Sequence, residues 1–226
     1  SDLIIDLRDF DFVCTKASTR TFLVNNGVTL TVMDTVGSGT VSGNHTHSSK
    51  FRGSAIIMNS GTTGTNLGTV RLYSGTYVQP EGNTQLAPVS ASFQGGLMEI
   101  YEDATITGNK AGRLGGGIFV DRGEMQLSGN LVVKDNKAND QDSNLYLLGE
   151  ALLSVGTLDE NARIGISAER VYGAMSAQTD KDYSAAFISD DTAMKVTYRE
   201  KTVYLEPKVG HEHCLCNNLS QECKHE

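Results

Sequence analysis

The chain of 226 residues has no tryptophan, three prolines, 7% aromatic residues and little helical periodicity. No apolar run approaches the ~20 residues that a bilayer span needs. That excludes membrane insertion by a helix. The opening "SDLIIDLRDF" lacks the basic, then apolar, then small-residue layout of a signal peptide. Basic residues are also few, 19 Lys and Arg against 27 Asp and Glu for a net charge of -8. They are scattered singly, whereas phosphate-backbone binding wants clustered cations. Nucleic acid is therefore not an expected partner, and the acidic balance reads as solubility.

Cysteine is scarce where a framework would need it. Three of the four, Cys214, Cys216 and Cys223, fall in the last thirteen residues, and only Cys14 lies elsewhere. Disulfides do not hold the body of the chain together. What is present is enough apolar material for a core, 38%, or roughly 45% when counted with glycine in the usual way.

Short alternating runs carry the local structure. Val28, Leu30 and Val32 alternate with threonines, Met125 and Leu127 flank Gln126, and Val203 and Leu205 flank Tyr204. A period of two marks strands with one buried face, so the chain is all-β.

A repeat organises these strands. An apolar residue, two small or polar ones and then Asn recur as "VSGN" (41–44), "ITGN" (106–109), "LSGN" (127–130) and "VKDN" (133–136). After the first, second and fourth of these come a polar loop and a new strand. Ten residues separate Asn109 from Phe119 and Asn136 from Tyr146, and thirteen separate Asn44 from Ile57. Asn tolerates a left-handed corner and its amide can bond the next Asn in a stack, while Gly serves the tighter corner that follows. The pattern predicts a parallel β-helix over 1–207 with roughly 22 to 30 residues per coil, hence about seven or eight coils and a rod of roughly 35 to 40 Å. A β-sandwich is the rival architecture. The segment 167–178 reads as a short helix, a corner or an end cap.

At "ITGNKAGRLGGGIF" the chain resembles the repeat of the polymorphic outer-membrane-protein and adhesin group of right-handed parallel β-helices. Over residues 2–207, in "FLVNNGVTLTVMDTVGSGTVSGN", "DSNLYLLGEALLSVGTLDENARIGIS" and "TAMKVTYREKTVYLEP", it is similar to large multi-domain surface proteins of Gram-positive gut bacteria. The first place of the motif holds Val, Ile or Leu here instead of an aromatic residue. The resemblance implies a secreted or cell-surface module of a longer chain that recognises a host protein or glycoprotein, such as a mucin or an immunoglobulin, and is not an enzyme. The alternatives are a carbohydrate-active β-helix (a glycoside hydrolase, lyase or lectin) and a structural stalk.

The glycines at 115–117 are no phosphate loop, because Lys110 precedes them and a strand follows. Carboxylates that could form a hydrolytic pair are Asp9 with Asp11, Glu99 with Glu102 and Asp103, and Asp190 with Asp191, and each set reads as solvated surface. His45 and His47 share one side of a loop but lack a third ligand. The tail 208–226 packs His211, His213, Cys214, Cys216, Cys223 and His225 together. These residues are candidates for a structural zinc ion, with a Cys216–Cys223 disulfide or a linker as alternatives. Cys14 is expected in the core beside Phe10 and Phe12. Partner contacts are expected in the irregular loops 44–53, 77–96 and 177–191.

Overall fold

The computed structural model describes residues 2–15, 21–25, 27–42, 57–60, 69–77, 89–92, 97–111, 114–121, 124–149, 151–170 and 173–208. The zinc candidates of the tail, His45, His47 and the loop 44–53 lie outside these residues.

The chain winds as a parallel β-solenoid with three faces. Face 1 stacks Leu3–Asp6, Thr29–Met33, Thr69–Leu72, Leu97–Ile100, Glu124–Gly129 and Leu152–Leu158 in sequence order. Face 2 stacks Phe12–Val13, Thr40–Ser42, Thr76–Tyr77, Thr105–Thr107 and Val132–Lys134. Face 3 stacks Phe22–Val24, Ile57–Ser60, Val89–Ser92, Ile118–Asp121 and Leu145–Leu148. The strand Arg163–Ala168 turns the corner between faces 2 and 3. Its Arg163 and Ile164 pair with Val132 and Val133, and its Ile166 to Ala168 pair with Leu145 to Leu147. Every pairing between coils within these three faces is parallel, which a β-sandwich with its antiparallel sheets does not produce.

Leu30, Val70, Met98, Met125 and Leu153 lie above one another on face 1, so most coils advance by 27 or 28 residues and the second by 40. The extra length is shared among all three corners of that coil, since Leu30 to Val41, Val41 to Ile57 and Ile57 to Val70 are each longer than their counterparts Met98 to Ile106, Ile106 to Ile118 and Ile118 to Met125. Six strands stack on this face, and Ser176 adds a bridge to Leu153 beyond them.

Alternation fills the interior as expected. Val32, Leu72, Ile100 and Leu127 form one fully buried row, and Ile118 and Val120 are buried on face 3. Burying a Leu or Ile side chain is worth about 1.5–3 kcal/mol, and each row repeats that gain at every coil. The first coil is the exception. Leu3 and Phe12, in register with buried Leu30 and Val41, remain 49% and 39% exposed because no described strand stacks beyond them. Cys14 is accordingly half-buried and Phe10 is exposed, so the expected core position for Cys14 is not realised.

The opposite end is closed by an antiparallel hairpin, Met194–Arg199 with Thr202–Pro207, whose Met194, Val203 and Leu205 join the core. Glu200 and Lys201 both take positive φ, 50° and 61°, which suits a two-residue hairpin turn matched to strand twist. No α-helix forms over the described part of 167–178. Ser167 and Ala168 finish a strand, Ala174 bridges Tyr204, and Ser176 bridges Leu153. The segment therefore links the last coil to the cap.

Candidate functional site

The corner between faces 2 and 3 is built by asparagines. Asn109 and Asn136 are 99% and fully buried, a position that an amide tolerates only when its donors and acceptors are met. Asn109 donates Nδ2–H to Asn136 Oδ1 (2.9 Å), to Tyr77 O and to Thr107 O. Asn136 donates to Ile106 O, Lys134 O and Asn144 Oδ1 (3.0 Å). Asn144 in turn donates Nδ2–H to Asp190 Oδ1 (2.6 Å) and its backbone N–H to Asp190 Oδ2 (2.7 Å). The ladder thus ends on a carboxylate.

The left-handed residue at this corner is the one before each asparagine, Gly108 at φ 70° and Asp135 at φ 56°. Asn109 and Asn136 serve through their side chains, and the left-handed backbone expected of them falls on their neighbours. Asn130, from the third copy of the motif, stands at a different corner and donates to Asp103 Oδ1.

The glycines of "RLGGGIF" receive the same ladder. Gly115 N–H donates to Ser143 Oγ, Gly116 N–H to Ser143 O, and Gly117 N–H to Asn144 O. A Cβ on Gly116 would lie 2.4 Å from the backbone N and O of Lys137, so the two coils touch backbone to backbone here. The alignment of Asn109–Phe119 with Asn136–Tyr146 holds, since Phe119 stacks in register on Tyr146. Ile57 lies over the row of Ile118 and not of Phe119, one place from the expected register.

Beside the ladder opens a groove of about 500 Å³. One side comes from the loop that holds Asn139, Gln141 and Asp142, the other from Asp190 and Asp191, and Tyr146 contributes from the outer side of face 3. Tyr146 is stacked on Phe119 with ring centroids 6.2 Å apart and planes 14° from parallel. Burial raises the phenol above its ordinary range, and the nearby charge of Glu169 adds to this. Burial also raises the Asp190 carboxyl, opposed by the donations from Asn144 and Ser167 and reinforced by Asp142. The described residues that line the groove include no Lys, Arg or His.

Other carboxylates stand at structural posts. Asp34 lies at the corner between faces 1 and 2, where burial pushes its pKa up. Backbone N–H donations from Asp9, Gly39, Gly37 and Val36 outweigh that and hold it below the usual range. On the outer side of face 1, Glu99 accepts from Arg71 Nε (2.5 Å) and Tyr101 Oη (2.5 Å), and the rings of Tyr101 and Tyr73 are 5.1 Å apart. Among the described residues no group of three or more His, Cys, Asp or Glu is placed to hold a metal, and no helix is long and apolar enough to cross a membrane.

Of the expected contact loops, 177–191 supplies Asp190 and Asp191 to the groove. From 77–96 only Tyr77 and Val89–Ser92 are described, and Tyr77 is fully buried, donating its hydroxyl to Ser74 O. Leu114, Ser167 and Thr192 aside, the remaining groove residues come from 138–146, which in the sequence reads only as a repeat loop. Its polar run "NDQDS", longer than a corner needs, was the available signal. No protein-family model, no curated protein and no solved structure matches this chain.

Proposed function

We propose that this chain is a non-catalytic binding module of a secreted or surface-attached bacterial protein, recognising a host protein or glycoprotein such as a mucin or an immunoglobulin. Its coils, joined by parallel crossovers, wind to the right, as such connections do in nearly all proteins, in the manner of adhesin repeats. The observation that carries the reading is the groove itself, set on a rigid stack whose corner is fixed by the asparagine ladder. Loops and corners held by a stiff scaffold are where recognition concentrates. Binding is favoured over hydrolysis because the buried and half-buried carboxylates have structural partners: Asp190 holds Asn144, Asp34 holds the backbone of a corner, and Glu99 holds Arg71 and Tyr101.

The test is equilibrium binding of the purified chain to purified mucin and to immunoglobulin, with the ligand's mass and glycans analysed afterwards. The reading expects saturable binding to at least one and unaltered ligand. Shortened glycans, or no binding to either, overturn it. The tail extends the proposal: His211, His213, Cys214, Cys216, Cys223 and His225 supply four ligands for one structural zinc ion. Metal analysis of protein purified without chelator should find one zinc per chain, and freely titratable thiols with no zinc would refute this.

A further inference from the structure

We infer that the groove between the 138–143 loop and Asp190–Asp191 is a subsite for neutral sugar units, with Tyr146 as its aromatic contact. The inference rests on the binding-module reading and names the chemistry that the module recognises. Three observations converge on it. The volume of about 500 Å³ lies within the ~300–1,000 Å³ of small-ligand sites. Beside the apolar Leu114 and Ala138, the side chains around it offer amide, hydroxyl and carboxylate groups, from Asn139, Gln141, Ser143, Asp142 and Asp191. Such groups pair with the donor and acceptor hydroxyls of a sugar. Tyr146 brings an aromatic surface, whose electron-rich face attracts the weakly positive C–H face of a pyranose ring.

The ring is preorganised, because its stacking on Phe119 and its place in the face 3 register fix it before any ligand arrives. Asp190 is fixed as well, since Asn144 holds both of its oxygens and Ser167 donates to one of them. A ligand meeting these two groups therefore loses little of its binding energy to ordering them.

Charge narrows the class further. Asp142, Asp190 and Asp191 line the groove and no described lining residue is cationic. A sialic acid, uronic acid or sulfated sugar would bring its anion against these carboxylates, and like charges placed together across an interface select against a ligand. A hexose or N-acetylhexosamine has no such penalty. The same chemistry could arrive as a glycan on a glycoprotein or as a free oligosaccharide, so both belong in the test.

The experiment measures binding of the full chain to matched free oligosaccharides, neutral and sialylated or sulfated, and to a mucin before and after enzymatic removal of its glycans. Tyr146→Leu, which keeps an apolar side chain against Phe119, and Asp142→Lys, on an exposed position, are compared at equal thermal stability. The inference expects neutral sugars to bind and acidic counterparts to bind at least about tenfold more weakly. Tyr146→Leu should weaken neutral binding by about tenfold, and Asp142→Lys should narrow the gap between neutral and acidic sugars. Mucin binding should fall away on deglycosylation. Acidic sugars binding as well as neutral ones, or an unaffected Tyr146→Leu, would overturn the subsite. Mucin binding that survives deglycosylation would also overturn it while leaving the binding module intact, whereas no binding to any glycoprotein would remove both.

Discussion

Asn109 Nδ2 lies 2.9 Å from Asn136 Oδ1, so one asparagine amide is bonded to the next across a coil of 27 residues. Asn109 and Asn136 each also donate to main-chain carbonyls of their own coil and of the one before. Asn136→Ala would remove the acceptor of the Asn109 backbone N–H, one of the acceptors of its Nδ2, and the amide donor to Ile106 O and Lys134 O. We expect a loss of about 2–4 kcal/mol, since each buried group left unmet costs about 1–3 kcal/mol and the site will relax in part. Urea denaturation of the variant beside Asn130→Ala, which sits at a more exposed corner, should show the larger loss for Asn136.

Gly116 and Gly108 separate two reasons for glycine. At Gly116 a Cβ meets the Lys137 backbone at 2.4 Å, and backbone cannot swing aside. At Gly108 nothing lies within 4 Å, and only the φ of 70° resists a side chain. Gly108→Ala should therefore cost about 1 kcal/mol, the left-handed backbone penalty. Gly116→Ala should cost more than about 2 kcal/mol, in the range of other overpacked sites. Thermal unfolding of both variants checks the order, and equal losses would contradict the backbone contact between the coils.

Buried Asp34 and half-buried Asp190 should pull stability in opposite directions with pH. Asp34 titrates below the ordinary 3.8 in the folded chain, so its contribution is present above that value and is lost as pH falls through its folded pKa. Asp190 titrates above 3.8, so its contribution is present below that value and is lost as pH rises through its folded pKa. Asp34→Asn should flatten the acid limb of a stability profile measured between pH 2 and 7, and Asp190→Asn should flatten the limb above pH 4. Unchanged limbs in both variants would show that neither carboxylate is coupled to folding.

The fold was legible because its repeat uses residues with narrow tolerances. Asn109 and Asn136 carry amides that bond from coil to coil, the glycines 115–117 sit where a Cβ would meet neighbouring atoms, and the alternation of Leu30 with Val32 or Met125 with Leu127 marks the inward face directly. The groove was not legible for a matching reason. Its two sides meet through Asn144 and Asp190, 46 residues apart, and no local pattern announces a contact of that span. Asp34 escaped notice similarly, since its value lies in the backbone donors of Asp9 and Gly39, which a sequence does not display. The motif at Asn130 was legible as a copy of the repeat but not as belonging to a different corner, because a four-residue signal specifies a turn and not which face follows it.

The most direct test of the account is hydrogen exchange of the full chain with and without saturating mucin. The account predicts added protection concentrated at 138–146 and 190–192, with the Arg71, Glu99 and Tyr101 surface of face 1 unchanged. Protection confined to face 1, with the groove segments exchanging as in the free chain, would contradict it.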